Sequence, residues 1–266
     1  MKSMQKVNFD EVLFRCSSLG HLMTEPKLKA DKEAGNLSDT AKTHLRDVYV
    51  SKVLGRNTDI SNKYLLKGNM VEEDSITLYS NVKKQYFQKN EEHLKNDFIM
   101  GTPDIRMVDG KVYDIKSRWD ALTFVRTINE PMDKMNYWQI MGYGWIESAT
   151  TGVIVNTLVN TPFVQIQSLL KKESYQWPEM VPAWREIEII KNAVFDFNTF
   201  EKYVDMVCHP ITDEDKKMYD SFVEIPPKNR INEVEVEIKE EEIEALKVKI
   251  QKSREHLKTF DLIFRK

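Results

Sequence analysis

The stretch Asp104-Ile105-Arg106-Met107-Val108-Asp109-Gly110-Lys111-Val112-Tyr113-Asp114-Ile115-Lys116 decides how this chain is read. Asp109-Gly110 is a turn dipeptide between two short apolar runs, so residues 104–108 and 111–116 are expected as antiparallel strands. Phe98 to Met100 leads into the first of them. Side chains alternate along a strand, so Asp114 and Lys116 project from one face and Ile115 from the other, into the core. A two-residue loop would pair Val108 with Lys111 and set Asp104 opposite Ile115, facing away from Asp114. A three-residue loop, Val108-Asp109-Gly110, with Gly110 left-handed in a bulge, pairs Asp104 with Asp114 instead. That loop is the expectation; a bulge or bend near Pro103-Asp104 reaches the same convergence. Two carboxylates and a lysine on one face suit a hard divalent cation, with the Ile115 carbonyl as a further oxygen ligand.

Upstream, residues 38–54 read as a helix. Ser38 or Asp39 caps it, Ala41, Leu45, Val48 and Tyr49 recur at helical spacing, and Gly55 ends it. A longer helix is expected over about 61–89, with an apolar stripe of Leu65, Ile76, Tyr79, Val82 and Tyr86. On that wheel Glu72 falls within the stripe, where a carboxylate is costly unless it is paired with a buried Arg or Lys or bound to a metal. Lys83, Lys84 and Lys89 read as a solvated helix face. Downstream, residues 134–147 read as a helix on which Gln139 and Tyr143, four apart, share a face. Gly152 to Val159 reads as a buried strand. Helix, hairpin, helix and strand together predict one mixed α/β core.

Beyond that core, Trp177-Pro178 and Ile225-Pro226-Pro227 mark loops. Val234, Val236 and Ile238 alternate with glutamates as a half-exposed strand. Ile243, Leu246, Ile250 and Leu257 give a helix with a narrow apolar stripe, expected to pack on the core rather than on a partner chain.

Composition bounds the function. The chain has 266 residues, 41% hydrophobic and 30% charged, a folded globular balance. With 39 basic and 42 acidic residues it is not a protein that coats nucleic acid by bulk charge, although a local basic groove is allowed. Cys16 and Cys208 are the two cysteines and form no Cys-x-x-Cys motif, which argues against a disulfide scaffold, a four-Cys zinc site or an iron–sulfur cluster. No apolar run approaches the roughly 18 residues of a membrane span, and Met1 to Phe14 contains no signal-type apolar region. A cytoplasmic location and no membrane partner are the expectations.

Acid-x-Lys tripeptides also occur at Glu25-Pro26-Lys27, Glu214-Asp215-Lys216 and Glu237-Ile238-Lys239, so the tripeptide alone means little. The ordered set means more. Gly68-Asn69-Met70-Val71-Glu72, Gly101-Thr102-Pro103-Asp104, Asp114-Ile115-Lys116 and Gln139-Ile140-Met141-Gly142-Tyr143 resemble, in that order, the PD-(D/E)XK nuclease superfamily. The Gln-x-x-x-Tyr element resembles the RecB-like branch, and the whole is most similar to phage YqaJ-type exonucleases related to lambda exonuclease. Arg15-Cys16-Ser17-Ser18-Leu19-Gly20 resembles the N-terminal Arg/Ser segment of that group.

The resemblance implies a restriction-endonuclease-like α/β core, a central mixed β-sheet flanked by helices, with a helical N-terminal part and a C-terminal strand–helix extension. It implies a single nuclease domain over 1–266, with its core at about 38–170 and the extension at about 225–266. It also implies metal-dependent DNA cleavage in which Glu72, Asp104, Asp114, Lys116, Gln139 and Tyr143 form the catalytic set. Mg²⁺ or Mn²⁺ would be held by Glu72, Asp104, Asp114 and the Ile115 carbonyl. Arg15, Ser17, Ser18, Ser117, Arg118 and Trp119 are the expected DNA and phosphate contacts, with a helix cap as the other reading of Ser17-Ser18. The expected activity is an exonuclease on double-stranded DNA ends, in phage-type recombination or DNA processing. An endonuclease of the same superfamily and a non-catalytic DNA-binding protein on this fold are the alternatives. Expected partners are DNA, a single-strand annealing protein and further copies of the chain.

Overall fold

The computed structural model describes residues 5–56, 63–177, 179–208 and 212–265. Its strands are β1 (Phe14–Arg15), β2 (Leu94–Lys95), β3 (Ile99–Gly101), β4 (Ile105–Val108), β5 (Lys111–Ser117), β6 (Thr151–Thr157) and β7 (Ile231–Glu237). The helices before β5 are α1 (Leu19–Leu22), α2 (Lys29–Glu33), α3 (Asp39–Leu54), α4 (Lys63–Met70) and α5 (Glu72–Lys83). After β5 come α6 (Ala121–Asn129), α7 (Lys134–Glu147), α8 (Phe163–Ser174), α9 (Ala183–Lys191), α10 (Phe197–Val207), α11 (Asp213–Asp220) and α12 (Glu240–Phe264).

A four-stranded sheet runs in the order β4-β5-β6-β7. The central pair β5/β6 is parallel and both outer pairs are antiparallel, a mixed sheet as expected. Strand β5 alternates across it. Tyr113 and Ile115 pack with Ile76 and Tyr79 of α5 on one side, and Val112 packs with Ile140 of α7 on the other. A smaller sheet, β1-β3-β2, stands apart. Strand β3 therefore does not run on into β4, as the sequence suggested; the chain bends between Thr102 and Asp104 and changes sheets.

The hairpin differs from expectation in its loop. Val108 pairs with Lys111, so the loop is Asp109-Gly110 alone. Both residues have positive φ, 51° and 78°, the signature of a type I′ turn. The register then shifts, and Ile105 pairs with Tyr113. The extra residue lies at Arg106-Met107 and forms a bulge within β4. Arg106 reaches Glu147 at the end of α7 and Glu92. One step further along the reset register, Asp104 falls opposite Asp114.

Helix α3 follows its signals: Ser38 accepts from the Ala41 N–H, worth about 1 kcal/mol, and Gly55 closes the helix at φ 62°. The predicted helix over 61–89 is instead two helices, α4 and α5, broken at Val71, whose φ of −113° and ψ of 13° are not helical; residues 61–62 lie outside the described residues. The break ends the proposed stripe. Ile76 and Tyr79 are buried, but Leu65 and Tyr86 are 51% and 83% exposed. Glu72 is consequently the first residue of α5 rather than the middle of an apolar face, and an acid at a helix N-terminus is favourable. Helix α7 matches the expected 134–147, and the strand expected at 152–159 runs from Thr151 to Thr157.

The C-terminal strand β7 joins the central sheet at its edge. Glu233 bonds the Tyr79 hydroxyl and pairs with Lys83, and Glu235 pairs with Lys111. Helix α12 lays Leu246, Ile250 and Leu257 into the same core cluster as Leu45 and Tyr49 of α3 and Phe14 of β1. Each fully buried aliphatic side chain there contributes about 1.5–3 kcal/mol. Buried Arg254 of α12 donates to the Val12 and Asp97 carbonyls, tying both ends of the chain together. Helices α8–α10 form a separate apolar cluster around Ile166, Ile187, Phe200 and Val204. Both cysteines are free and buried. Among the described residues no helix is long and apolar enough to cross a membrane.

Lys67 of α4 is 1% exposed. Its Nζ donates to the carbonyls of Arg118 and Trp119, at 3.1 and 2.9 Å, where the chain leaves β5. This clasp fixes the α4–α5 corner, and so Glu72, against the strand that carries Asp114 and Lys116. Burial lowers its pKa from 10.5 to about 7, with Asp120 opposing. The unfolded chain therefore binds more protons than the folded chain between about pH 7 and 10.5, and stability rises with pH across that window. Urea midpoints of wild type should climb between about pH 7 and 9. Those of Lys67→Met should climb less, with about 1–3 kcal/mol lost at the upper pH from the two carbonyls left unpaired. Parallel slopes would refute the desolvated lysine.

Candidate active site

Strand β5, the segment leading into β4 and helix α7 bring five side chains together: Asp104, Asp114, Lys116, Gln139 and Tyr143. Asp114 of β5 is 1% exposed. Its Oδ1 accepts from Gln139 Nε2 at 3.1 Å, and its Oδ2 lies 2.7 Å from Lys116 Nζ. Lys116 Nζ also donates to Gln139 Oε1 at 3.0 Å, and Gln139 Nε2 reaches the Tyr143 hydroxyl at 3.1 Å. Gln139 thus bridges carboxylate and ammonium, fixing both from α7. Asp104, just before β4, accepts from the Ile115 N–H at 2.6 Å. In a strand a residue's N–H and C=O point to the same side, so the Ile115 carbonyl is directed toward the same edge.

The electrostatics are those of crowded acids. Burial pushes the Asp104 carboxyl up to about 8, and the neighbouring Asp114 and, less strongly, Glu72 push the same way. The Ile115 N–H and Lys116 oppose them. Asp114 Oδ2 is buried and accepts no directed hydrogen bond; Lys116 meets it as an ion pair outside hydrogen-bond geometry. Tyr143 is buried, and desolvation followed by Asp114 drives its pKa far up, so it remains a neutral phenol.

Glu72 is not drawn fully into this cluster. Its Oε1 pairs with Lys89 at 3.4 Å, and the same lysine reaches Glu73 at 3.8 Å. Lys89, read from the sequence as part of a solvated face, is the side chain that holds Glu72. Among the described residues no three His, Cys, Asp or Glu side chains are gathered as a ready metal cage.

The floor of the site explains two motif glycines. A Cβ on Gly101 would lie 2.7 Å from the Tyr143 ring and 3.1 Å from Cys16 Sγ. One on Gly142 would lie 2.6 Å from Leu19 and 3.1 Å from Cys16 Sγ. Cys16 is fully buried between these backbones, and burial raises its thiol pKa well beyond the usual range, so it is inert packing. Its role was not legible, because a lone cysteine carries no spacing signal. Arg15 and Ser17, on either side of it, are exposed. The Ser18 hydroxyl turns back to the Arg15 carbonyl at 2.9 Å; Ser18 occupies the cap position of α1 without a capping bond.

The remaining expected contacts separate. Ser117 faces α5, and its hydroxyl lies 2.7 Å from Ser75, which also accepts from Thr157. This hydroxyl chain knits β5, α5 and β6, so Ser117 leaves the phosphate-binding set. Arg118 is held by the Asn156 side chain. It lines a cavity of about 480 Å³ with Arg126, Asn136 and Asn156, beside α7. Trp119 is half-buried, edge-on to Tyr64 at 5.2 Å, with Lys63 Nζ 4.8 Å from its ring centre.

No protein-family model and no curated protein matches the chain. Solved structures do. The alkaline exonuclease of Laribacter hongkongensis aligns with a TM-score of 0.58 at 9% identity, over 96% of this chain and 93% of that one. The same enzyme in complex with dAMP aligns with a TM-score of 0.57 at 10% identity, over 95% and 91%. These two likenesses speak for the fold alone. A phage-related exonuclease from Haemophilus somnus 129PT aligns with a TM-score of 0.70 at 27% identity, over 96% of this chain and 97% of that chain, so the chain is similar to an exonuclease from end to end.

Proposed function

We propose that this chain is a metal-dependent exonuclease of the PD-(D/E)XK type that hydrolyses phosphodiester bonds at DNA ends. The observation that carries the reading is the Asp104–Asp114–Lys116–Gln139 arrangement, set in a fold shared along 96% of the chain with a phage-related exonuclease. A divalent cation fits the donor set. Two carboxylates crowd one another beyond what a single lysine neutralises, and a buried carboxylate oxygen lacks a directed partner. Asp104, Asp114 and the Ile115 carbonyl would hold Mg²⁺ or Mn²⁺, with Glu72 reaching it through water. Bound there, the ion would lower the pKa of a water molecule and neutralise charge on the phosphate oxygens.

The chain's own groups supply the rest. Lys116 orients the attacking water or the phosphate oxygen on which charge develops. Gln139 keeps Lys116 and Asp114 in fixed relation, and Tyr143 keeps Gln139. Arg118 and Arg126, which line one cavity, would contact the DNA strand, and exposed Arg15 and Ser17 would meet a terminal phosphate. A role in phage-type recombination, a single-strand annealing partner, self-assembly and a cytoplasmic setting belong to the same reading.

Cleavage should require Mg²⁺ or Mn²⁺ and stop in EDTA. Asp114→Asn should lose metal binding in a calorimetric titration with Mn²⁺. Full activity in EDTA would overturn the metal reading. Lys116→Ala should lower turnover by about 10²-fold while leaving that titration intact, because an ammonium is not a ligand. Near wild-type turnover would reduce Asp114-x-Lys116 to a charged strand face. End-labelled linear DNA should be degraded while covalently closed circles survive. Arg15→Ala should weaken the preference for phosphorylated over hydroxyl ends. Efficient cutting of circles would favour the endonuclease alternative.

A further inference from the structure

A second cavity, of about 590 Å³, opens between the outer face of α5, the chain leaving β6, and α10. None of Asp104, Asp114, Lys116 or Gln139 lines it. Its volume is in the range of small-molecule sites. Arg230 reaches it from the segment before β7 and is 8% exposed. The Arg230 Nε is buried and, among the described residues, has no hydrogen-bond partner. Asp196 and Glu224 act on it only through space. The Asp196 carboxylate is already engaged, accepting from the Asn160 side chain and from the Thr199 N–H at the start of α10. A desolvated guanidinium without directed acceptors is costly, and it is the side chain best shaped to grip a phosphate.

The surroundings repeat that preference. Helix α8, 12 residues long, begins at the cavity with Pro162 and Phe163; its cap residue Pro162 provides no side-chain acceptor, and the Phe163 N–H meets the Tyr203 hydroxyl. The positive end of a helix favours an anion. Thr77 and Asn81 lie one turn apart on α5 and add a hydroxyl and an amide. The rings of Phe163 and Tyr203, with centres 4.9 Å apart, form an apolar wall. Asp74 is exposed at the rim, where solvent screens its charge from an anion held at Arg230.

We propose that this cavity is a phosphate-binding site distinct from the catalytic cluster, taking a small phosphate monoester such as a mononucleotide, with Arg230 as its anchor. The test is calorimetry on the full chain in EDTA with inorganic phosphate, thymidine 5′-monophosphate, thymidine, and a short single-stranded oligonucleotide lacking terminal phosphates. It reads binding without cleavage, so its outcome is separate from that of the nuclease reading. Thymidine monophosphate should bind, thymidine should not, and Arg230→Gln should weaken binding by about tenfold or more. Lys116→Ala should leave the affinity within about twofold. Thr77→Glu, at an exposed position on the rim, should weaken binding by about tenfold as well, and it provides the reading if Arg230→Gln fails to fold. Inorganic phosphate binding as tightly as the nucleotide would overturn the role of the apolar wall. Binding of the oligonucleotide alone would make the ligand a strand phosphate and overturn the small-ligand proposal. Unchanged affinity in Arg230→Gln or Thr77→Glu, loss in Lys116→Ala, or no binding at about 10 mM thymidine monophosphate would overturn it outright.

Discussion

Strand β5 is paired on both edges and covered on both faces, and its two-residue alternation determines what surrounds it. Tyr113, Ile115 and Ser117 must satisfy α5, and Val112, Asp114 and Lys116 must satisfy α7. Two polar side chains on a buried face demand partners, and Gln139 supplies them with one amide group. The bulge at Arg106-Met107 then matters because β4 must deliver Asp104 to the same end of β5 while its own apolar residues keep facing α5. A one-residue slip would exchange the faces of the whole strand. The bulge spends one extra residue in a place where Arg106 can be tied to α7 and Glu92.

The floor beneath this site is a close meeting of backbones. Cys16, Gly101 and Gly142 come from three separate elements and touch where a single additional carbon would not fit. Tyr143 is seated by the same contacts. The N-terminal segment is therefore part of the site's foundation, and Arg254 of α12 holds that segment in place by bonding the Val12 carbonyl. The first and last parts of the chain are joined to this site by strand pairing, β1 with β3 and β7 with β6, and by packing and the carbonyl–guanidinium bonds of Arg254.

Buried and half-buried basic side chains recur through this molecule and serve different ends. Lys67 and Arg254 give their donors to backbone carbonyls, which stiffens junctions without placing a counter-charge in the core. Arg118 uses a neutral amide, Asn156, and so keeps its charge available to the adjoining groove. Arg230 alone of these four lacks such a partner among the described residues, which sets it apart as a group awaiting a ligand.

Local signals determined much of this fold. The Ser38 cap and Gly55 stop bounded α3, the helical spacing bounded α7, and alternation marked β5, β6 and β7, because each rests on residues near in sequence. The hairpin and the Gln-x-x-x-Tyr helix also named side chains that meet in space, Asp104, Asp114, Lys116, Gln139 and Tyr143, whereas the acid before them, Glu72, is held aside by Lys89. What local pattern could not decide was anything settled by distant partners. Asp109-Gly110 chose its own preferred two-residue turn, and the register was corrected inside β4, where a bulge depends on what α7 and Glu92 offer Arg106. The long helix breaks at Val71, and the two helices on either side carry Lys67 to the carbonyls after β5 and Glu72 to Lys89. Ser117 became a structural hydroxyl once α5 lay over it, and Cys16 acquired its place only when two glycine backbones closed around it. Local propensity set the elements; the tertiary structure decided their faces, breaks and partners, because burial makes each polar group find its acceptor or donor wherever the chain can supply one.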